Sequence, residues 1–280
     1  MSKVFKVSVV AALVSASFGA QAAVTEIDGQ AGGGLVPWAL LADRPSVAVT
    51  SLNTQNLGVN SVAVNGGIAN RVELSYARTS ANIIGTALGN ASNLANVDNY
   101  GVKVKLNDMG TLPQFAVGVV NKQASGALLD GTVVPALNNT KSGTDVYVAA
   151  TKVVNIVGTN VLLNGVIRAS KANQLGVLGF GGGNAAGAKT GYSYKPEVSA
   201  EIFAAENVII GAEYRAEPSN GVTATDGVLH QNSAYDLNVV YVANKNLALT
   251  AAYVNLGQVA PALAGSNRQA GMYLQAQVTF

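Results

Sequence analysis

From Ser46 to the last residue, apolar and polar side chains alternate in segments that recur along the chain. The final stretch, MYLQAQVTF, puts Met272, Leu274, Ala276, Val278 and Phe280 on one side and mostly polar groups on the other. Alternation with a period of two predicts a strand whose two faces meet different solvents. The segments are Ser46–Thr54, Gly58–Gly66, Arg71–Ser80, Val97–Asn107, Pro113–Gln123, Gly143–Val153, Val161–Lys171, Tyr192–Phe203, Val208–Ala216, Ala234–Ala243, Leu247–Leu256 and Gln269–Phe280. Most are close to the roughly 9–11 residues with which a tilted strand crosses a bilayer.

The links between them sort by length. Gly67–Asn70, Asp108–Leu112, Val154–Asn160, Ala204–Asn207 and Asn244–Asn246 are short; Ala81–Asn96, Ala124–Ser142, Ala172–Gly191, Glu217–Ser233 and Gly257–Arg268 are long. Outer-membrane barrels have tight periplasmic turns, longer external loops and an even strand count. The fold class expected is therefore all-β, a transmembrane antiparallel up-and-down β-barrel of about 12 strands.

The start of the chain fits export. Lys3 and Lys6 precede an apolar run from Val7 to Ala20, which closes on Gln21, Ala22 and Ala23. This is the layout of a secretory signal peptide, with cleavage expected after Ala22 or Ala23. The run is shorter than the ~20 residues of a membrane anchor. Three segments result: residues 1–23 as signal peptide, 24–45 as a periplasmic or lumenal segment, and 46–280 as barrel.

Composition narrows the function classes. Charged residues make up 11% and hydrophobic residues 49%, with 17 basic side chains against 15 acidic ones. Two of those lysines lie in the signal, so no basic excess remains to recruit nucleic acid. The absence of cysteine excludes disulfides and thiolate metal sites. With a single histidine, His230, no metal site or cofactor is expected. His230 lies near Asp226 and Ser233 in a polar stretch, but proximity along a loop is not the convergence a hydrolytic triad needs, and no enzyme activity is expected. Gly181–Gly183 lacks the spacing of a phosphate-binding loop.

Parity sorts the side chains of a barrel. Tyr76, Tyr100, Tyr214, Tyr235 and Tyr253 fall on the lipid side at one level, and Phe115, Tyr241 and Phe280 at the other, as girdles at the two water interfaces. Tyr147 and Tyr273 fall on the inner face. So do Arg71, Glu73, Lys103, Lys105, Asp145, Arg168, Glu197, Glu201, Glu213, Arg215 and Asp236. Simple hairpin register sets Glu73 opposite Lys105, Asp145 beside Arg168, and Arg215 opposite Asp236. These charges either satisfy one another in a narrow interior or select solutes as charged rings do in pores.

The segment Gly32–Leu41, with Trp38, either folds inward as a plug or rests as a tail at the membrane rim. Pro37 and three consecutive glycines weigh against a long helix there. Pro196 belongs at a bulge or strand beginning, because it cannot donate to a ladder.

Several segments carry a resemblance: GGGLVPWALLA (Gly32–Ala42), RVELSYAR (Arg71–Arg78), SGTDVYVAATK (Ser142–Lys152), SKANQLGVLGFGG (Ser170–Gly182), GAEYRAEPSN (Gly211–Asn220) and LALTAAYVNLG (Leu247–Gly257). Together they resemble a proteobacterial family catalogued as domain of unknown function three thousand and thirty-four. The resemblance implies an outer-membrane barrel and brings no site residues. Asp43-Arg44-Pro45 departs from the glycine-rich turn expected there.

The resulting expectation is a passive channel for small solutes in a Gram-negative outer membrane, or a non-conducting barrel working through its outer loops. Its expected partners are outer-membrane lipids, the barrel-assembly machinery through Phe280, and a small solute; no nucleic acid is expected.

Overall fold

The computed structural model describes residues 24–83, 95–127, 129–182, 191–218 and 230–280. The signal-peptide residues 1–23, Gly183 and Asp226 lie outside the described residues. Twelve strands run in chain order: β1 (Ser46–Asn53), β2 (Leu57–Ile68), β3 (Val72–Ile83), β4 (Ala95–Lys105), β5 (Gln114–Ser125), β6 (Ser142–Ile156), β7 (Thr159–Ser170), β8 (Ser193–Ala205), β9 (Val208–Arg215), β10 (Ala234–Asn244), β11 (Leu247–Asn255) and β12 (Ala270–Thr279). Each pairs antiparallel with its neighbours in sequence, and β1 pairs with β12 from Ser46↔Thr279 to Asn53↔Met272, so the sheet closes into a barrel without an edge. Among the described residues no helix is long and apolar enough to cross a membrane.

The wall has an inside-out distribution of polarity. Val49, Val62, Leu74, Val102, Ile167, Leu237 and Leu274 are exposed on the outer surface, whereas Glu73, Lys103, Asp145, Arg168 and Asp236 are buried on the inner one. An aliphatic exterior of this extent is unsuited to water and suited to hydrocarbon. Tyr100, Phe115, Tyr214, Tyr235, Tyr241, Tyr253 and Phe280 are outward and exposed. Tyr76 is outward as well and half-buried against Tyr100, with ring centroids 5.3 Å apart. Tyr147 and Tyr273 point inward and are fully buried.

One end of the barrel, the turn end, carries the tight turns after β2, β4, β6, β8 and β10 together with Ser46 and Phe280; the other, the loop end, carries the long connections. Pro196 is accommodated inside β8. Its carbonyl accepts the N–H of Ala216 at 3.1 Å, and Ala216 lies one residue past the end of β9. A strand residue's N–H and C=O point to the same side, so the donor that proline lacks faces a place where the ladder has already stopped.

Register differs from the expected pairing in two hairpins. Glu73 lies opposite Lys103, not Lys105. Lys105 instead pairs with Asp108 at 2.6 Å at the turn end. Arg215 lies opposite Ala234, and Asp236 faces Glu213. Both shifts are of two residues, which preserves the face while changing the partner. Arg71 is not lumenal: it sits exposed in the β2–β3 turn and donates to the Leu106 carbonyl at 3.3 Å.

Candidate functional site

Residues 24–42 lie inside the barrel, where they fold without helix. Two isolated bridges, Thr25↔Ala31 and Gly32↔Pro37, give the segment a doubled-back shape. Nearly all of it is buried, including Glu26, Asp28, Leu35, Val36 and Trp38. A segment without regular structure must place its backbone polar groups elsewhere. Six of its N–H groups donate to carbonyls within the segment, and side chains of the lumen wall hold others.

Four of these backbone groups are held by the pair Glu73 and Lys103, 3.2 Å apart. Glu73 accepts the N–H groups of Ala31 at 2.9 Å and Ala42 at 2.7 Å. Lys103 donates to the carbonyls of Ala31 and Leu40, both at 2.8 Å. The segment is thereby pinned at two points far apart along its length. Trp38 donates its indole N–H to Ser199 Oγ at 3.0 Å, Gln114 donates to the Ala39 carbonyl at 2.7 Å, and Tyr147 donates its hydroxyl to Gln30 Oε1 at 2.6 Å.

Charge pairing supplies the second anchor. Asp28 reaches three wall cations: Lys122 at 2.8 Å, Arg215 at 3.1 Å and Arg168 at 3.5 Å. Each has a carboxylate of the wall or its rim as well. Lys122 lies 3.3 Å from Asp145, Arg168 lies 2.5 Å from Glu197 and 3.6 Å from Asp145, and Arg215 lies 2.9 Å from Glu217. Next to Arg215, strands β8, β9 and β10 form an acidic stretch of wall. Glu201, Glu213 and Asp236 are buried there, with Asn238 donating to Glu201 at 3.3 Å and to Asp236 at 3.0 Å. Against that wall the segment presents backbone: the Leu35 N–H donates to Glu213 at 2.6 Å.

The three glycines of Gly32-Gly33-Gly34 have different reasons to be there. A Cβ on Gly32 would lie 2.2 Å from the Val36 carbonyl oxygen, and one on Gly33 would lie 1.9 Å from Glu213 Oε1. A Cβ on Gly34 would meet nothing closer than 3.6 Å. The first closes the turn, the second lets the turn approach the wall, and the third has room for a side chain.

The structure thus sets Glu73, Lys103, Arg168, Glu213 and Arg215 against the inner segment that carries Trp38, with Asp145 and Glu197 behind them. Glu201 and Asp236 stay on the acidic wall, and Lys105 does not join. Sequence reasoning passed over Lys122, Glu26 and Asp28. Lys122 shares the parity of its buried neighbours Val120 and Ala124 and was legible by that rule.

Burial and the adjacent Asp28 push Glu26 up to about 7, against the pull of Arg168 and Arg215. Burial also opposes the charge on Asp28, yet Lys122, Arg215 and Arg168 outweigh it and hold that carboxyl well below the usual range. A solvated Glu26 would titrate near 4.5, so between that value and about 7 the seated segment binds more protons than the released one. Seating therefore weakens as pH rises through this window, by at most about tenfold per unit. Asp28 acts in the other direction, weakening the seat only as pH falls below 3.8. Trp38, the single tryptophan, reports on the segment. Its quenching by acrylamide should rise from about pH 5 to about pH 8; flat quenching would remove Glu26 from this role.

Comparison with solved structures finds the same architecture at low identity. The KdgM porin bound to disordered oligogalacturonate aligns with a TM-score of 0.52 and 11% identity, covering 84% of this chain and 99% of that one. The NanC porin gives 0.52 and 9% identity, covering 84% and 98%. The outer membrane phospholipase A from Escherichia coli aligns with a TM-score of 0.42 and 7% identity, covering 85% and 93%, too distant to carry an argument. No curated protein matches the sequence. A family model described as protein of unknown function (DUF3034) matches residues 21–277, nearly the whole length over which the barrel and its inner segment are built. The chain belongs to the DUF3034 family.

Proposed function

We propose that this protein is an outer-membrane channel for small solutes, closed at rest by its own residues 24–42. One observation carries the reading: each wall cation that grips Asp28 also has a wall or rim carboxylate within reach. A scaffold that needed the inner segment for its own charge balance would not duplicate those partners, because an unpaired buried charge costs several kcal/mol. Nor does any strand-to-strand pairing involve residues 24–45. The segment is joined to the wall only at Ser46, at the turn end, and can leave by that end without breaking the barrel. Once it has left, Lys103 and Lys122 on β4 and β5 face Glu201, Glu213 and Asp236 on β8 to β10 across a wet lumen, with Arg168 and Arg215 beside the carboxylates, a distribution of charge that orients and selects ions.

The non-conducting reading has its own support. Residues of the long loops, among them Leu129, Leu178, Phe180 and Val259, are buried with the segment in one apolar cluster, so the mouth is roofed at the loop end as well.

Planar-bilayer recording separates the two. The chain without residues 24–44 should give discrete current steps, while the intact chain gives rare ones. Arg215→Glu in the shortened chain should move the reversal potential toward cation preference. Silence from both chains would overturn the channel, and equal steps from both would overturn the plug.

A further inference from the structure

The polar interior does not account for a cavity that lies under the loop-end roof. Leu178, Val259 and Ala264 come from the loops, Leu57 and Ala81 from the wall, and Leu35 from the inner segment; with their neighbours they bound about 70 Å³. Almost the entire lining is apolar. Among the polar groups at its edge, Arg215 pairs with Glu217 at 2.9 Å, Thr79 Oγ1 lies 3.2 Å from Ser61 Oγ and 3.4 Å from the Ile27 carbonyl oxygen, and Gln231 Oε1 accepts the Gln174 N–H at 3.0 Å.

We propose that this cavity is a binding site for a small uncharged apolar molecule of about three to four carbon atoms. Water needs two to four polar partners to settle in a cavity, and apolar cavities without them stay dry and take up hydrocarbon guests. A cavity of roughly 150 Å³ lined by aliphatic and aromatic side chains binds benzene, so a space half as large sets the size of the guest. A charged ligand is disfavoured, because the guanidinium and carboxylate at the rim neutralise each other and neither is left to pair with it. Within the size limit, each methylene buried should strengthen binding about fourfold.

Its position connects the site to the inner segment. Leu35 supplies one wall, while its N–H and C=O are held by Glu213 at 2.6 Å and Arg215 at 3.0 Å. Removing the segment therefore opens one side of the site.

The test uses the full mature chain in lipid nanodiscs and 1-fluoropropane as probe, observed by fluorine line broadening. Saturable broadening beyond that of empty nanodiscs is expected, with none for fluoroacetate. Ala264→Phe fills the cavity from the roof and Ala81→Leu from the wall; each should weaken binding tenfold or more. Deleting residues 24–44 should do the same. Broadening that matches empty nanodiscs, persists in the Ala264→Phe chain, or is stronger for the carboxylate would overturn the site. Ala264 lies outside the strands, so its variant answers even if the Ala81 variant fails to fold. Because the readout is binding, a silent bilayer recording would leave the site standing and sink only the channel. Conductance without binding would do the reverse.

Discussion

Asp28→Ala should release the inner segment from a barrel that stays folded. The variant is expected to make Trp38 accessible to acrylamide and to give the full-length chain the current steps of the shortened one. Asp28 holds Lys122, Arg215 and Arg168 within 2.8, 3.1 and 3.5 Å. The three cations keep Asp145, Glu197 and Glu217, so no wall charge is left uncompensated and the loss falls on the seating equilibrium. A lost hydrogen bond to a charged group costs about 1.5–3 kcal/mol. A shift of at least about tenfold toward the released state follows. Retained heat-modifiable migration on gels would show the barrel intact. Trp38 quenching equal to the parent chain would refute the anchor.

Gly32→Ala and Gly34→Ala form a matched pair. The added methyl on Gly32 would stand 2.2 Å from the Val36 carbonyl and 2.8 Å from Pro37 Cα, both backbone atoms of the same tight turn. The turn must open, and forced overpacking of this kind costs about 1–3 kcal/mol. Gly34, with ordinary contact distances around the new methyl, should change seating by less than about 0.5 kcal/mol. The expected readout is a roughly 5- to 100-fold gain in released segment for the first variant and none for the second. Equal behaviour of the two would mean that the turn is looser than its contacts imply.

The strands were legible because lipid imposes a strict rule: every second side chain of each crossing meets hydrocarbon, and the sequence alternates accordingly. The same rule located Tyr147 and Tyr273 inside and the eight girdle aromatics outside. It could not settle register. Moving Glu73 from Lys105 to Lys103 leaves both lysines on the inner face, so parity is blind to a slip of two residues. The inner segment was legible only in outline, through its glycines and Trp38. It is held largely by its own backbone amides and carbonyls, which every residue carries, so Gln114 reaching the Ala39 carbonyl leaves no trace in residue identity. Glu26 and Asp28 could have been paired with lumenal cations once Lys122 was counted among them. The apolar cavity was hidden for another reason, since it is built where loops meet the wall and loops carry no periodicity.

The amide of Phe280 donates to the carbonyl of Pro45 at 2.9 Å, directly beside the point where the inner segment joins the wall. The final wall strand is therefore bonded to the first at the residue next to the one where residues 24–45 depart from the wall. Closure of the sheet and anchorage of the inner segment share this corner, so a change that loosens the pairing of β1 with β12 near Ser46 also frees the base of that segment.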